Sequence, residues 1–318
     1  MKFMLRKSLV VLFVFVLVAA LTGIALAAPL GSSVRPAIPA EVQQLICVDY
    51  RALKNSDTAQ QLKEQVLPDN LKQFEVALKS AGINTDRDVD ELTFISYRNS
   101  KQALQVVGAA QGVFPTKTVL AKFRIHKIRP VKYRDSDIYP MGTGMQMTFL
   151  DDTTLLFGEG AALRGSLDAR DGYVTTLDSN PDIANLIGDV EGGSVWSVLD
   201  QKGTQNMLLS ALGDASKLAD FETVKKRILG SRYTMNFQNG VTFDSDVITS
   251  DSVTAATLSS LVKAGVLYRK MTASPVEKSA LEDVTVDSDS SKLQMHFKAD
   301  DKQFQALLHT SLFAAVSR

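Results

Sequence analysis

One cysteine, Cys47, and three histidines are all that 318 residues offer of the side chains that most often carry redox, nucleophilic or metal chemistry. A lone thiol excludes any internal disulfide, even in an oxidising compartment, so stability has to come from the core. Cys47 sits in the apolar run 45–48, which marks it as a buried, inert thiol. His126, His296 and His309 never fall at His-x-x-x-His or comparable spacing, so a zinc site would need distant residues to converge. His126 lies in a basic run and His309 flanks an apolar helix stripe. His296 alternates outward from Leu293, Met295 and Phe297.

Cofactor motifs are missing as well. Gly158-Glu159-Gly160 opens a helix after a strand, but the third glycine of a dinucleotide turn falls at Leu163. No Gly-x-Ser-x-Gly elbow and no Walker loop occurs. Asp287, Asp289 and Ser291 begin like a calcium loop, yet the sharp-turn glycine is Lys292 and the bidentate glutamate is Lys298. The residues therefore imply no cofactor and no metal. Charge of one sign is lacking too: 35 basic residues balance 35 acidic ones, and nothing points to nucleic acid.

Long hydrophobic runs are absent except for one. Lys2, Arg6 and Lys7 precede the apolar stretch 9–21, and Ala25-Leu26-Ala27 supplies the small residues that signal peptidase requires. Residues 1–27 therefore read as an export signal with Ala28 as the first mature residue. The rival reading is an uncleaved N-terminal anchor. Cleavage removes three positive charges and no negative one, moving the formal charge from 0 to −3. The mature chain is expected in the periplasm or outside the cell, touching membrane only through this leader. Pro29, Gly31, Ser32, Ser33, Pro36 and Pro39 make residues 28–40 read as a flexible tether.

What remains is ordinary globular composition, 45% hydrophobic and 22% charged. Its clearest stretch alternates over 233–237, turns at Asn239-Gly240, and alternates again over 241–249. Asp251 or Ser252 then caps a helix with Leu258, Leu261 and Val262 on one face. An earlier hairpin, 92–97 with 103–108, turns at Asn99-Ser100. Ser56 caps a helix, Pro68 starts another that Gly82 ends, and Gly230 is read as ending its counterpart. Ser274-Pro275-Val276-Glu277 is a capping box. Residues 41–172 and 191–318 thus repeat one order of elements across a connector at 173–190. The expected fold is α+β: two tandem, similar halves, each an antiparallel sheet with helices on one face, an elaborated ferredoxin-like arrangement.

Four stretches carry a family resemblance: Tyr139-Pro140-Met141, Met147-Thr148-Phe149-Leu150-Asp151-Asp152, Leu167-Asp168-Ala169-Arg170-Asp171-Gly172 and Gly230-Ser231-Arg232-Tyr233-Thr234-Met235-Asn236-Phe237. In these the chain resembles uncharacterised exported bacterial proteins of acidobacterial type, domains of unknown function with duplicated α+β halves. The resemblance implies export and that duplication, and brings no activity or site residue with it.

One surface feature stands out. Lys122, Arg124, Lys127, Arg129, Lys132 and Arg134, with His126, crowd thirteen residues interleaved with Phe123, Ile125, Ile128, Val131 and Tyr133. Such a strip suits an anionic glycan, a lipid headgroup or an acidic protein. It also suits a solvated helix end beside an edge strand guarded against pairing. The leading functional expectation is a non-enzymatic cell-envelope protein that binds or acts as a structural module. The alternatives are an exported hydrolase assembled from residues such as Asp244, Asp246 and His296, and a carrier of an apolar ligand between helices and sheet.

Overall fold

The computed structural model describes residues 30–67, 69–141, 144–212 and 221–310, so the leader, Pro68 and the final residues lie outside the described part. The chain opens with β1 (Val42–Asp49), followed by α1 (Tyr50–Leu53), α2 (Asp57–Val66), α3 (Asp69–Ala81) and α4 (Thr85–Asp88). The hairpin β2 (Val89–Arg98) and β3 (Leu104–Gly112) leads into α5 (Thr116–Ile125). Four short strands come next: β4 (Val131–Tyr133), β5 (Ser136–Pro140), β6 (Met145–Phe149) and β7 (Thr154–Glu159). They are followed by α6 (Gly160–Arg170) and α7 (Pro181–Gly188). Then come β8 (Val195–Asp200), α8 (Gln201–Leu212), α9 (Phe221–Lys225), β9 (Ile228–Asn236) and β10 (Val241–Thr249). The chain closes with α10 (Ser252–Thr272), α11 (Pro275–Glu282), β11 (Val284–Asp289), β12 (Lys292–Ala299) and α12 (Asp301–Leu308).

The expected α+β class with antiparallel pairing is what the chain adopts, and the described strands form one continuous sheet, a point the sequence left open. Its order is β11-β12-β10-β9-β8-β1-β2-β3-β7-β6-β5-β4. The seam is β1 against β8, where Leu45 pairs with Val198 and Cys47 with Trp196. Outward from the seam one reads β1, β2, β3, β7, β6 on one side and β8, β9, β10, β12, β11 on the other.

Register assigns the faces. Cys47, Trp196, Ile95, Ala109 and Leu156 line one face, under α6 and α7. Gly108 and Phe157 on the other lie against Phe74 of α3, with α5 beside it. The first stretch of sheet is therefore covered on both faces, not on one. In the second stretch α8 and α10 cover one face, through Leu208, Leu258, Val247 and Leu293, while on the other face α7 reaches only β8 and the Gly230 end of β9. No described helix lies over Thr234, Asp244 and His296 on the reverse.

Local signals explain most boundaries. Ser56 accepts from the Ala59 amide, Asp251 from Thr254, and Ser274 forms its capping box with Glu277. Gly82 takes a φ of +101° while the Ile83 amide bonds back to Leu78. Asn239 and Gly240 both stand at positive φ, 58° and 102°.

One expectation about a boundary fails here. Gly230 does not end a helix. It lies within β9 opposite Ile248, and a side chain there would meet the Leu199 carbonyl and Leu186 of α7. Its role is close approach rather than helix termination. The connector 173–190 also holds α7, capped by Asn180 with Pro181 in its first turn and Ile183 and Ile187 buried.

The expected tether is likewise corrected for residues 30–40, which form a strap packed on the first face. Val34, Ala37 and Ile38 are fully buried, Leu30 nearly so. The Leu177 amide donates to the Ile38 carbonyl at 2.9 Å, Ala40 donates to Thr175 at 2.9 Å, and Arg35 pairs with Asp178 at 2.7 Å. The Pro/Gly/Ser composition masks apolar residues spaced three and four apart. Proline moreover lowers the entropy lost when the strap is fixed. Ile38→Ala should cost about 2–5 kcal/mol in urea unfolding if the strap is core. A loss within about 0.5 kcal/mol, usual for surface positions, would return it to the status of a tether.

Candidate functional sites

The basic strip runs from the last turn of α5 through a loop into β4, an end strand of the sheet. Phe123 is buried, and the Ile128 amide bonds back to its carbonyl at 2.9 Å, which ends the helix with Lys127 at a φ of 57°. The structure divides the six cations. Lys132 pairs with Asp137 at 3.0 Å. Arg134 pairs with Asp168 at 2.7 Å and stacks 3.3 Å over the Tyr173 ring. Those two belong to the edge. Lys122, Arg124, Lys127 and Arg129 make no ion pair among the described residues, and the last three are exposed. Between them Ile125 is 75% exposed and Val131 52%.

The bare face of the second stretch gathers the residues named for a hydrolase. Asp244 and Asp246 stand two apart on β10 and share this face. Asp244 lies opposite His296 of β12, with Oδ1 2.7 Å from Nδ1. Asp246 is occupied by Arg232, at 2.8 and 3.1 Å, and Arg232 also holds Asp189 from the turn after α7. Thr285 is opposite His296 on β11, but no hydrogen bond joins the two among the described residues. The histidine–carboxylate pair is about half exposed, so water competes for every polar group in it. Among the described residues, no three histidine, cysteine, aspartate or glutamate side chains converge to hold a metal.

A third place was expected only as a class, an apolar space between helices and sheet. Beneath α2 and α3 lies a cavity of about 60 Å³. Leu71, Phe74 and Leu78 form its helical wall, and Leu92, Phe94 and Ala110 its floor. Phe157 crosses Gly108, stacked 4.8 Å from Phe74 and edge-on to Phe94 at 6.2 Å. One end is polar. Lys63 Nζ donates to Glu75 at 2.8 Å and to the Tyr50 hydroxyl at 3.1 Å. Thr85 donates to the same Glu75 oxygen at 2.7 Å, and Tyr50 donates to Asp86 at 2.9 Å. Helical spacing of Leu71, Phe74 and Leu78 was visible in the sequence. The gap they leave was not.

Sequence reasoning missed Glu91. It stands on the strap-covered face of β2, cross-strand from Asp49, and among the described residues its Oε1 has no hydrogen-bond partner. Burial, and then repulsion from Asp49, push its carboxyl up to about 7. Asp90 and Glu91 stand together between Val89 and Leu92, and the alternation of Glu91 with the inward Ile95 was the available signal. Cys47 shares that face, 3.2 Å from the Thr93 hydroxyl, and burial pushes its thiol far up, as an inert cysteine requires.

No protein-family model matches the chain, and no curated protein is significantly similar to it. Among solved structures it is similar to TP0453 in crystal form I, with a TM-score of 0.50 at 8% identity over 86% of this chain and 95% of that one. Crystal form III of TP0453 gives 0.48 at 6% identity, over 86% and 96%. The likeness is one of fold.

Glu91 makes stability depend on pH. Its folded carboxyl binds a proton more tightly than the unfolded one, so the folded state loses nothing below the unfolded value near 4.5 and loses stability as pH rises toward about 7. Glu91→Gln should therefore raise the melting temperature at pH 8 and have far less effect at pH 4. Equal effects at the two pH values would place the cause elsewhere.

Proposed function

We propose that the chain is a non-enzymatic exported protein of the cell envelope that acts by binding an anionic partner through the four free cations of its basic strip. The observation that carries this is the group Lys122, Arg124, Lys127 and Arg129, unpaired among the described residues on a chain whose mature formal charge is −3 after loss of three leader cations. A local positive patch on a net negative body attracts anions where it stands and repels them elsewhere. The partner is an anionic glycan, a lipid headgroup or an acidic protein. Export is supported by the leader sequence, and the matching strand orders on either side of the seam support an internal duplication. Among the described residues no helix is long and apolar enough to cross a membrane. A hydrolase built on Asp244, Asp246 and His296 is the weaker proposal, because Arg232 occupies Asp246 and the remaining pair lies open to water.

Replacing Lys122, Arg124, Lys127 and Arg129 together with glutamine should abolish salt-sensitive retention of the leaderless protein on a heparin column. Replacing Lys132 and Arg134 should leave most of that retention while lowering stability. If the fourfold variant elutes with the native protein, the strip is only a solvated edge.

A further inference from the structure

We infer that the cavity beneath α2 and α3 is a binding site for a slim, uncharged apolar molecule, or for the apolar end of a larger one. This is independent of the basic strip. The cavity is half open, so its apolar lining stays in contact with water unless something covers it. Here the gap persists under two helices, with the small Ala110 on its floor where a larger side chain would fill it.

Size limits the occupant. A water-sized centre needs about 10–15 Å³, so 60 Å³ admits roughly four to six non-hydrogen atoms. The wall is almost wholly apolar, and a polar group drawn inside would lose its water without a replacement bond.

Charge limits it further. The polar end holds one cation, Lys63, against two carboxylates, Glu75 and Asp86. The nearby Arg87 and Asp88 neutralise each other at 2.5 Å. Lys63 is already bonded to Glu75 and Tyr50, and both bonds hold its ammonium in the charged form despite burial, which acts the other way. An incoming carboxylate would have to compete with Glu75 for Lys63 while facing a net negative rim. A hydroxyl meets no such opposition and can stay at the rim beside Thr85.

Pentan-1-ol and pentanoate test this directly, since they share an alkyl chain and differ in charge. Titrated into the purified protein and followed by NMR shifts of the Ala110 and Leu92 methyl groups, pentan-1-ol should bind saturably. Pentanoate should bind roughly tenfold more weakly, the scale of one unscreened like charge near the rim. Ala110→Ile should abolish alcohol binding while the rest of the spectrum is unchanged, and Leu92→Phe serves if that variant does not fold. Glu75→Gln should narrow the gap between alcohol and acid. Equal affinity for both, binding that survives a folded filling variant, or no saturable shift up to the solubility of pentan-1-ol would each overturn the proposal.

Discussion

The antiparallel pairing of β1 with β8 is the contact on which the whole molecule depends. Leu45, Cys47, Trp196 and Val198 meet there with essentially no exposure. Each such side chain contributes roughly 1.5–3 kcal/mol by leaving water. Without that seam there would be two short sheets, each with a free edge strand at its centre and an apolar row open to solvent. With it, a single sheet of the twelve described strands can be clothed on both faces at one end and on one face at the other.

Coverage follows from how many apolar residues each strand spends on each face. On β3, Val107 and Ala109 point one way and Ala110 the other, and all three are buried, so helices must come to both sides. On β10, Ser245 and Val247 are buried while Asp244 is exposed, and only one side attracts helices. The basic strip, the histidine–aspartate pair and the apolar cavity occupy three separate regions of this plan. Among the described residues nothing gathers all three into one site.

Much of the plan was legible in the sequence because it rests on local chemistry. Asn239-Gly240, Ser274 with Glu277, and Gly82 before Ile83 each solve a backbone problem within a few residues, and each does so in the structure. What depended on distant partners was not legible. Gly230 looks like a helix terminator until Leu186 is seen above it, and Pro36 and Pro39 look like tether residues until Thr175 and Leu177 bond to their neighbours. The strip was visible as a composition, but its division into bound and free cations needed Asp137 and Asp168. Glu91 is unusual only through what surrounds it.

The strap sets an order of events. Ile38 and Ala40 find their hydrogen-bond partners at Leu177 and Thr175, almost half the chain later, so the strap cannot seat before residues 175–177 are made. Closing so long a loop is slow compared with forming the hairpins between. Whatever forms first elsewhere, the face beneath the strap cannot seal until residues 175–177 are in place.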